Sequence, residues 1–127
     1  MKKENLFFLL ILITILITRI SIIIIPEVNI TLFNIIIHHF WFGVILMLIG
    51  LFIPKKLFIF KIGIYGIGAG LIIDQLIFMI LGAGQDKEYW AFPSLIGMII
   101  MTFIVFELRK KNRIFVASAW SVIQGED

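Results

Sequence analysis

Residues Leu57 to Ala83 read LFIFKIGIYGIGAGLIIDQLIFMILGA, an apolar run broken by Lys61 near one end and by the pair Asp74-Gln75 in its middle. About 20 apolar residues at 1.5 Å each cover the roughly 30 Å of hydrocarbon in a bilayer, so this run is long enough to span one as a helix. A carboxylate at that depth is unfavourable by about 2.5 to 3.5 kcal/mol on insertion scales, and such residues are normally paired and often functional. Asp74 therefore asks for partners from the rest of the chain.

Three further apolar runs flank this one: about 6–25, 30–53 and 92–108, with the third helix drawn at about 57–83 and a tail over 109–127. Pro26 and Pro54 follow the first two runs, where the residue before proline leaves helical geometry. Pro93 suits the first turn of the fourth, which needs no amide proton. In hydrocarbon the backbone must satisfy its own hydrogen bonds, so the runs are expected as helices. The expected architecture is an all-α, four-transmembrane-helix bundle forming a single integral membrane domain. Composition agrees: 61% of residues are hydrophobic and 15% charged, against about 45–50% and 25% in soluble chains. The first run is too long for a signal peptide and lacks a small-residue cleavage site, so it is read as an uncleaved first helix.

Lysine and arginine set the orientation. Lys2 and Lys3, Lys55, Lys56 and Lys61, and Arg109, Lys110, Lys111 and Arg113 fall on one side, with Lys87 alone among Glu27, Asp86 and Glu88 on the other. The positive-inside rule then places both termini in the cytoplasm and the protein in the cell membrane as a multi-pass chain. Tyr89 and Trp90 are expected in the outer aromatic belt. Phe115, Val116, Ala119, Trp120 and Ile123 share one face of the tail, which suits either an interfacial C-terminal helix or an extension of the fourth helix. The net charge of +3 lies in short clusters between apolar runs, as topology requires, and no nucleic-acid partner is expected. The absence of cysteine excludes disulfides, thiolate metal sites and cysteine nucleophiles.

The candidate partners of Asp74 are Arg19 in the first run and His38-His39 in the second. Arg19 lies about 9 Å inside the outer end, His38 about 12 Å and Asp74 about 13 Å, one shared layer in the outer half. Thr31, Asn34 and His38 at i, i+3 and i+7 make a polar stripe on a helical second run, with His39 turned about 100° away. Trp41 stands three residues beyond His38 as a candidate wall. Thr14, Thr18 and Ser21 accompany Arg19, and Gln75, Gln85 and Ser94 are placed to rim the site. Gly63, Gly66 and Gly70 share the face of Asp74 and are read as helix-packing positions.

These residues suit a buried His/Asp/Arg site that binds an ion or a small amphiphile. His38, His39, Asp74, Arg19 and Asn34 are its candidate residues, and His38 with Asp74 are candidate ligands of a divalent metal. Histidine titrates near neutral pH and can carry protons, and Arg19 can clamp an anion. The metal set is thin, since zinc enzymes normally supply three protein ligands. No serine or cysteine stands beside the histidines as a nucleophile, so the residues assign no reaction and no cofactor. One alternative is a non-catalytic membrane scaffold or partner-binding subunit whose polar residues only fix helix packing. A second is an oligomeric proton or cation transporter, for which Gly50, Gly82 and Gly84 leave room for contacts with another copy. The partners expected are the lipid bilayer and further copies of the chain.

The string His38-His39-Phe40-Trp41-Phe42-Gly43, then Gly66-Ile67-Gly68-Ala69-Gly70-Leu71-Ile72-Ile73-Asp74 and Tyr89-Trp90, resembles small prokaryotic, archaeal-type four-helix integral membrane proteins. Their pattern is a double histidine, a glycine, then a glycine-rich helix ending in an acid. The resemblance covers roughly half the chain and implies the fold, with no activity. Gln75 stands where that pattern has a second acid, which argues against a metal.

Overall fold

The computed structural model describes residues 3–25, 30–32, 35–81 and 89–124, with side chains over 5–25, 37–81 and 89–108. In chain order the elements are α1 (Lys3–Ile24), the strands β1 (Ile30–Leu32) and β2 (Ile35–Ile37), α2 (His39–Phe52), a 3-10 turn (Lys55–Leu57), α3 (Phe58–Ile80) and α4 (Phe92–Gln124). The fold is helical, with the two strands as its one small sheet among the described residues. Successive helices alternate in direction around α3, which packs against each of the others.

Glycines decide how the helices meet. A β-carbon added at Gly66 would lie 2.8 Å from Leu10 Cβ, and one at Gly70 2.7 Å from Thr14 Cβ and 3.0 Å from the Ile11 carbonyl oxygen. Numbers rise together along both chains, so α1 and α3 run parallel in close backbone contact. Two residues from Gly66, Gly68 looks the other way, and its added β-carbon would lie 2.9 Å from the Gly43 carbonyl oxygen of α2. Gly50 closes the far end of that antiparallel crossing against the ring of Tyr65, 2.9 Å from an added β-carbon. On α4, Gly97 admits Ile77, whose side chain an added β-carbon would overlap. The apolar core lies at the meeting of α1, α3 and α4, where Ile11, Ile15 and Ile73 are flanked by Phe7, Ala69, Met98, Met101 and Val105.

The second apolar run departs from the single helix expected over 30–53. Its first part is an antiparallel hairpin with Ile30 opposite Ile37, Thr31 opposite Ile36 and Leu32 opposite Ile35. The β-branched residues that dominate this part lose side-chain freedom in a helix and suit a pleated ribbon. The expected helical stripe of Thr31, Asn34 and His38 therefore does not form, and Asn34 itself lies outside the described residues. The helix begins only at His39 and stops at the extended Ile53 before Pro54. The fourth helix continues unbroken from Phe92 to Gln124, so residues 109–124 extend it and form no separate interfacial helix. At Gly63, nothing among the described residues lies within 4 Å of an added β-carbon. The stretches Asn5–Ile24 and Lys55–Ile80 are long and apolar enough to cross a membrane, while His39–Phe52 and Phe92–Leu108 are shorter apolar helices.

Candidate functional site

The parallel register that seats Gly66 on Leu10 and Gly70 on Thr14 brings the next turn of α3 to the next turn of α1. There Arg19 meets Asp74. Arg19 Nε–H donates to Asp74 Oδ1 at 2.7 Å, and the two residues are 6% and 1% exposed. The pairing is single rather than a two-pronged fork. The guanidinium's remaining nitrogens reach backbone carbonyls at longer range: Nη1 donates to Tyr89 and Nη2 to Asp74 itself, both at 3.4 Å. The second carboxylate oxygen, Oδ2, accepts a hydrogen bond from the Tyr89 hydroxyl.

Aromatic rings close the pocket around the guanidinium. Its carbon Cζ stands 4.2 Å from the centre of the Tyr89 ring and 5.2 Å from that of Trp90, within cation–π range. The Tyr89 ring in turn meets Phe78 edge-on, with centroids 5.6 Å apart, and Phe78 meets the His38 ring at 5.4 Å. Burial, and after it the Asp74 carboxylate, push the Tyr89 phenol above its ordinary range, so its proton stays in place to be donated. Tyr89 is thus buried inside the network. Trp90, beside it, remains partly exposed.

The two histidines do different things. His38 precedes α2 in extended geometry, and its side chain makes no capping bond. Burial, and secondarily its neighbour His39, hold His38 below the usual histidine range. His39 opens α2, and its Nδ1 lies 3.1 Å from Gln75 Nε2. Gln75 Oε1 accepts the Phe40 backbone N–H at 2.7 Å. The first amides of a helix lack partners within it, so Gln75 caps α2 from a different helix.

The expected residues therefore separate into two neighbouring groups. Arg19 and Asp74 come together as foreseen, joined by Tyr89; His39 belongs with Gln75, and His38 with Phe78. Both Asp74 oxygens accept a hydrogen bond, one from Arg19 and one from Tyr89. Among the described residues, no three of His, Cys, Asp and Glu gather as a metal site. The hydroxyls of α1 turn back on their own helix, Thr18 to the Thr14 carbonyl and Ser21 to that of Ile17, each at 2.8 Å. Trp41 is half-exposed and packs its ring on Phe40. Ser94 is fully buried, and its Oγ has no hydrogen-bond partner among the described residues. Gln85 lies outside the described residues.

Tyr89 is the residue that sequence reasoning missed. The available signal was arithmetic: an ionised carboxylate offers about four acceptor positions, and one arginine does not fill them. A tyrosine at the mouth of the following helix was the nearest remaining donor. Comparison of the chain with models of known families, with curated proteins and with solved structures gives no match.

Proposed function

We propose that the chain is a four-span membrane protein with both termini cytoplasmic, a non-catalytic membrane subunit held in register by a buried Arg19–Asp74–Tyr89 lock. The observation that carries this reading is an inverted distribution of polarity. Thr18, Arg19, Asp74, Gln75 and Ser94 are buried, while Ile24, Phe52, Ile59, Phe92 and Phe103 are exposed. A surface of large apolar side chains around a polar interior fits lipid as the solvent.

Two apolar helices already have spanning length. The apolar part of α4, Phe92–Leu108, adds about 25 Å at 1.5 Å per residue. The 14 residues of α2 cover only about 21 Å. The β1–β2 pair precedes it at its outer end. Its unpaired edges require water or headgroups, which places it at the outer interface. Both carboxylate oxygens of Asp74 accept hydrogen bonds within the chain and the Tyr89 ring covers the guanidinium, as a lock requires.

A second reading, an anion or small amphiphile held beside Arg19, draws on two details. Nη1 and Nη2 make only 3.4 Å contacts, and both go to backbone carbonyls rather than to a carboxylate. Native mass spectrometry from mild detergent separates the readings. A lock gives the bare protein with only exchangeable lipid and detergent. A stoichiometric adduct that disappears in Arg19→Met would replace the lock with a binding site.

A further inference from the structure

We propose that His39 and Gln75 form a proton-sensitive latch between the start of α2 and α3, closed when His39 is neutral and opened by acid. The Phe40 backbone N–H can only donate, so the Gln75 atom 2.7 Å from it is the carbonyl oxygen Oε1. The other end of the amide is then NH2, a donor, and it lies 3.1 Å from His39 Nδ1. Nδ1 must accept, so the neutral ring carries its proton on Nε2.

Protonation places a hydrogen on Nδ1 and sets two donors against each other. Gln75 cannot relieve this by turning over. The flip would aim NH2 at the Phe40 N–H and move the same conflict to the helix cap. Gln75 is 3% exposed, so water has little access to replace the broken bonds. Acid therefore separates His39 from Gln75 and exposes the Phe40 amide at the first turn of α2. The His39 ring is only partly buried, which gives protons a way in.

Among the described residues, two titratable groups face His39, and Glu27, Asp86, Lys87 and Glu88 lie outside them. On its own side stands His38, whose burial disfavours its charged form. From α3 comes Asp74, close enough for its charge to act on His39, but paired to Arg19 of α1 and bonded to Tyr89. The hairpin residues 30–37 carry no titratable side chain. The latch is distinct from the Arg19–Asp74 lock and holds under either reading of that network.

The test is hydrogen exchange at the Phe40 amide in the purified full-length protein, corrected for intrinsic rate, at about pH 7.5 and about pH 5. Protection in the wild type should fall roughly five- to thirty-fold on acidification, the equivalent of losing one or two hydrogen bonds. In Gln75→Glu the sign should reverse, because a carboxylate accepts from both the Phe40 N–H and an imidazolium. His38→Ala should respond as the wild type does. Unchanged wild-type protection, or a fall in Gln75→Glu equal to that of the wild type, would overturn the proposal. Should Gln75→Glu fail to fold, the His39 ring 15N shifts of the wild type decide: the proposal requires unprotonated Nδ1 at neutral pH, and a proton there sinks it.

Discussion

Alanine at Gly63 and at Gly70 should have opposite effects, although both glycines lie on the same face of the same helix. Replacing a helical glycine by alanine is worth about 0.5–1 kcal/mol in backbone entropy and propensity. At Gly63 nothing among the described residues lies within 4 Å of the new methyl group, so that gain should appear in full. At Gly70 the methyl group would sit 2.7 Å from Thr14 Cβ and 3.0 Å from the Ile11 carbonyl oxygen. Ordinary contact needs about 0.7 Å more. Neither neighbour is the free end of a flexible side chain, so α1 itself has to move, and overpacking of this kind costs about 1–3 kcal/mol. The propensity gain is common to both variants, and the difference between them isolates the clash. Reversible unfolding in mixed micelles should place Gly70→Ala about 1–3 kcal/mol below Gly63→Ala. Equal stabilities would refute the helix crossing described here. A loss at Gly63 would instead put another helix, such as a second copy of the chain, on that open face.

Tyr89→Phe keeps the ring on Arg19 and Phe78 but leaves Asp74 Oδ2 buried without a donor; the expected loss is about 1–3 kcal/mol, read as a lower unfolding midpoint. Ser94→Ala removes a hydroxyl with no partner among the described residues, so stability should hold or rise by up to about 1 kcal/mol; a clear loss would reveal a bound molecule at that hydroxyl. The chain has no native thiol, so single cysteines report sidedness cleanly. An impermeant reagent applied to intact cells should label a cysteine replacing Lys87 and should reach one replacing Lys110 only after permeabilisation. The reverse pattern would invert the proposed orientation.

Long elements were the legible part of this sequence. The run from Leu57 was read as a helix close to its observed span because length, composition and glycine spacing agreed, and the same holds for α1. Residues 30–37 were misread because hydrophobicity alone does not distinguish a helix from a ribbon. That error also displaced the histidines: a stripe through Thr31, Asn34 and His38 exists only on a helix, whereas Ile30–Leu32 and Ile35–Ile37 are extended. Arg19 and Asp74 could be matched from depth alone, since two parallel helices in close register carry equal depths to contact. Gly66 and Gly70 were identified as packing positions, but the opposite-facing Gly68 was not, because its partner Gly43 lies on a helix whose start was misplaced. Gln75 was noticed as polar, while its role as a cap for α2 depended on where α2 begins.

The most direct test of the lock is a double-mutant cycle on Arg19 and Asp74, using Arg19→Met, Asp74→Leu and the double variant. Removing one partner of a buried pair leaves an uncompensated charge and typically costs about 3–5 kcal/mol, whereas replacing both by apolar side chains of similar volume is often neutral. The account predicts large losses in each single variant and a double variant that recovers most of them, with membrane insertion and unfolding cooperativity intact. Single losses below about 0.5 kcal/mol that simply add in the double variant would mean that the two residues are not coupled, and would contradict it.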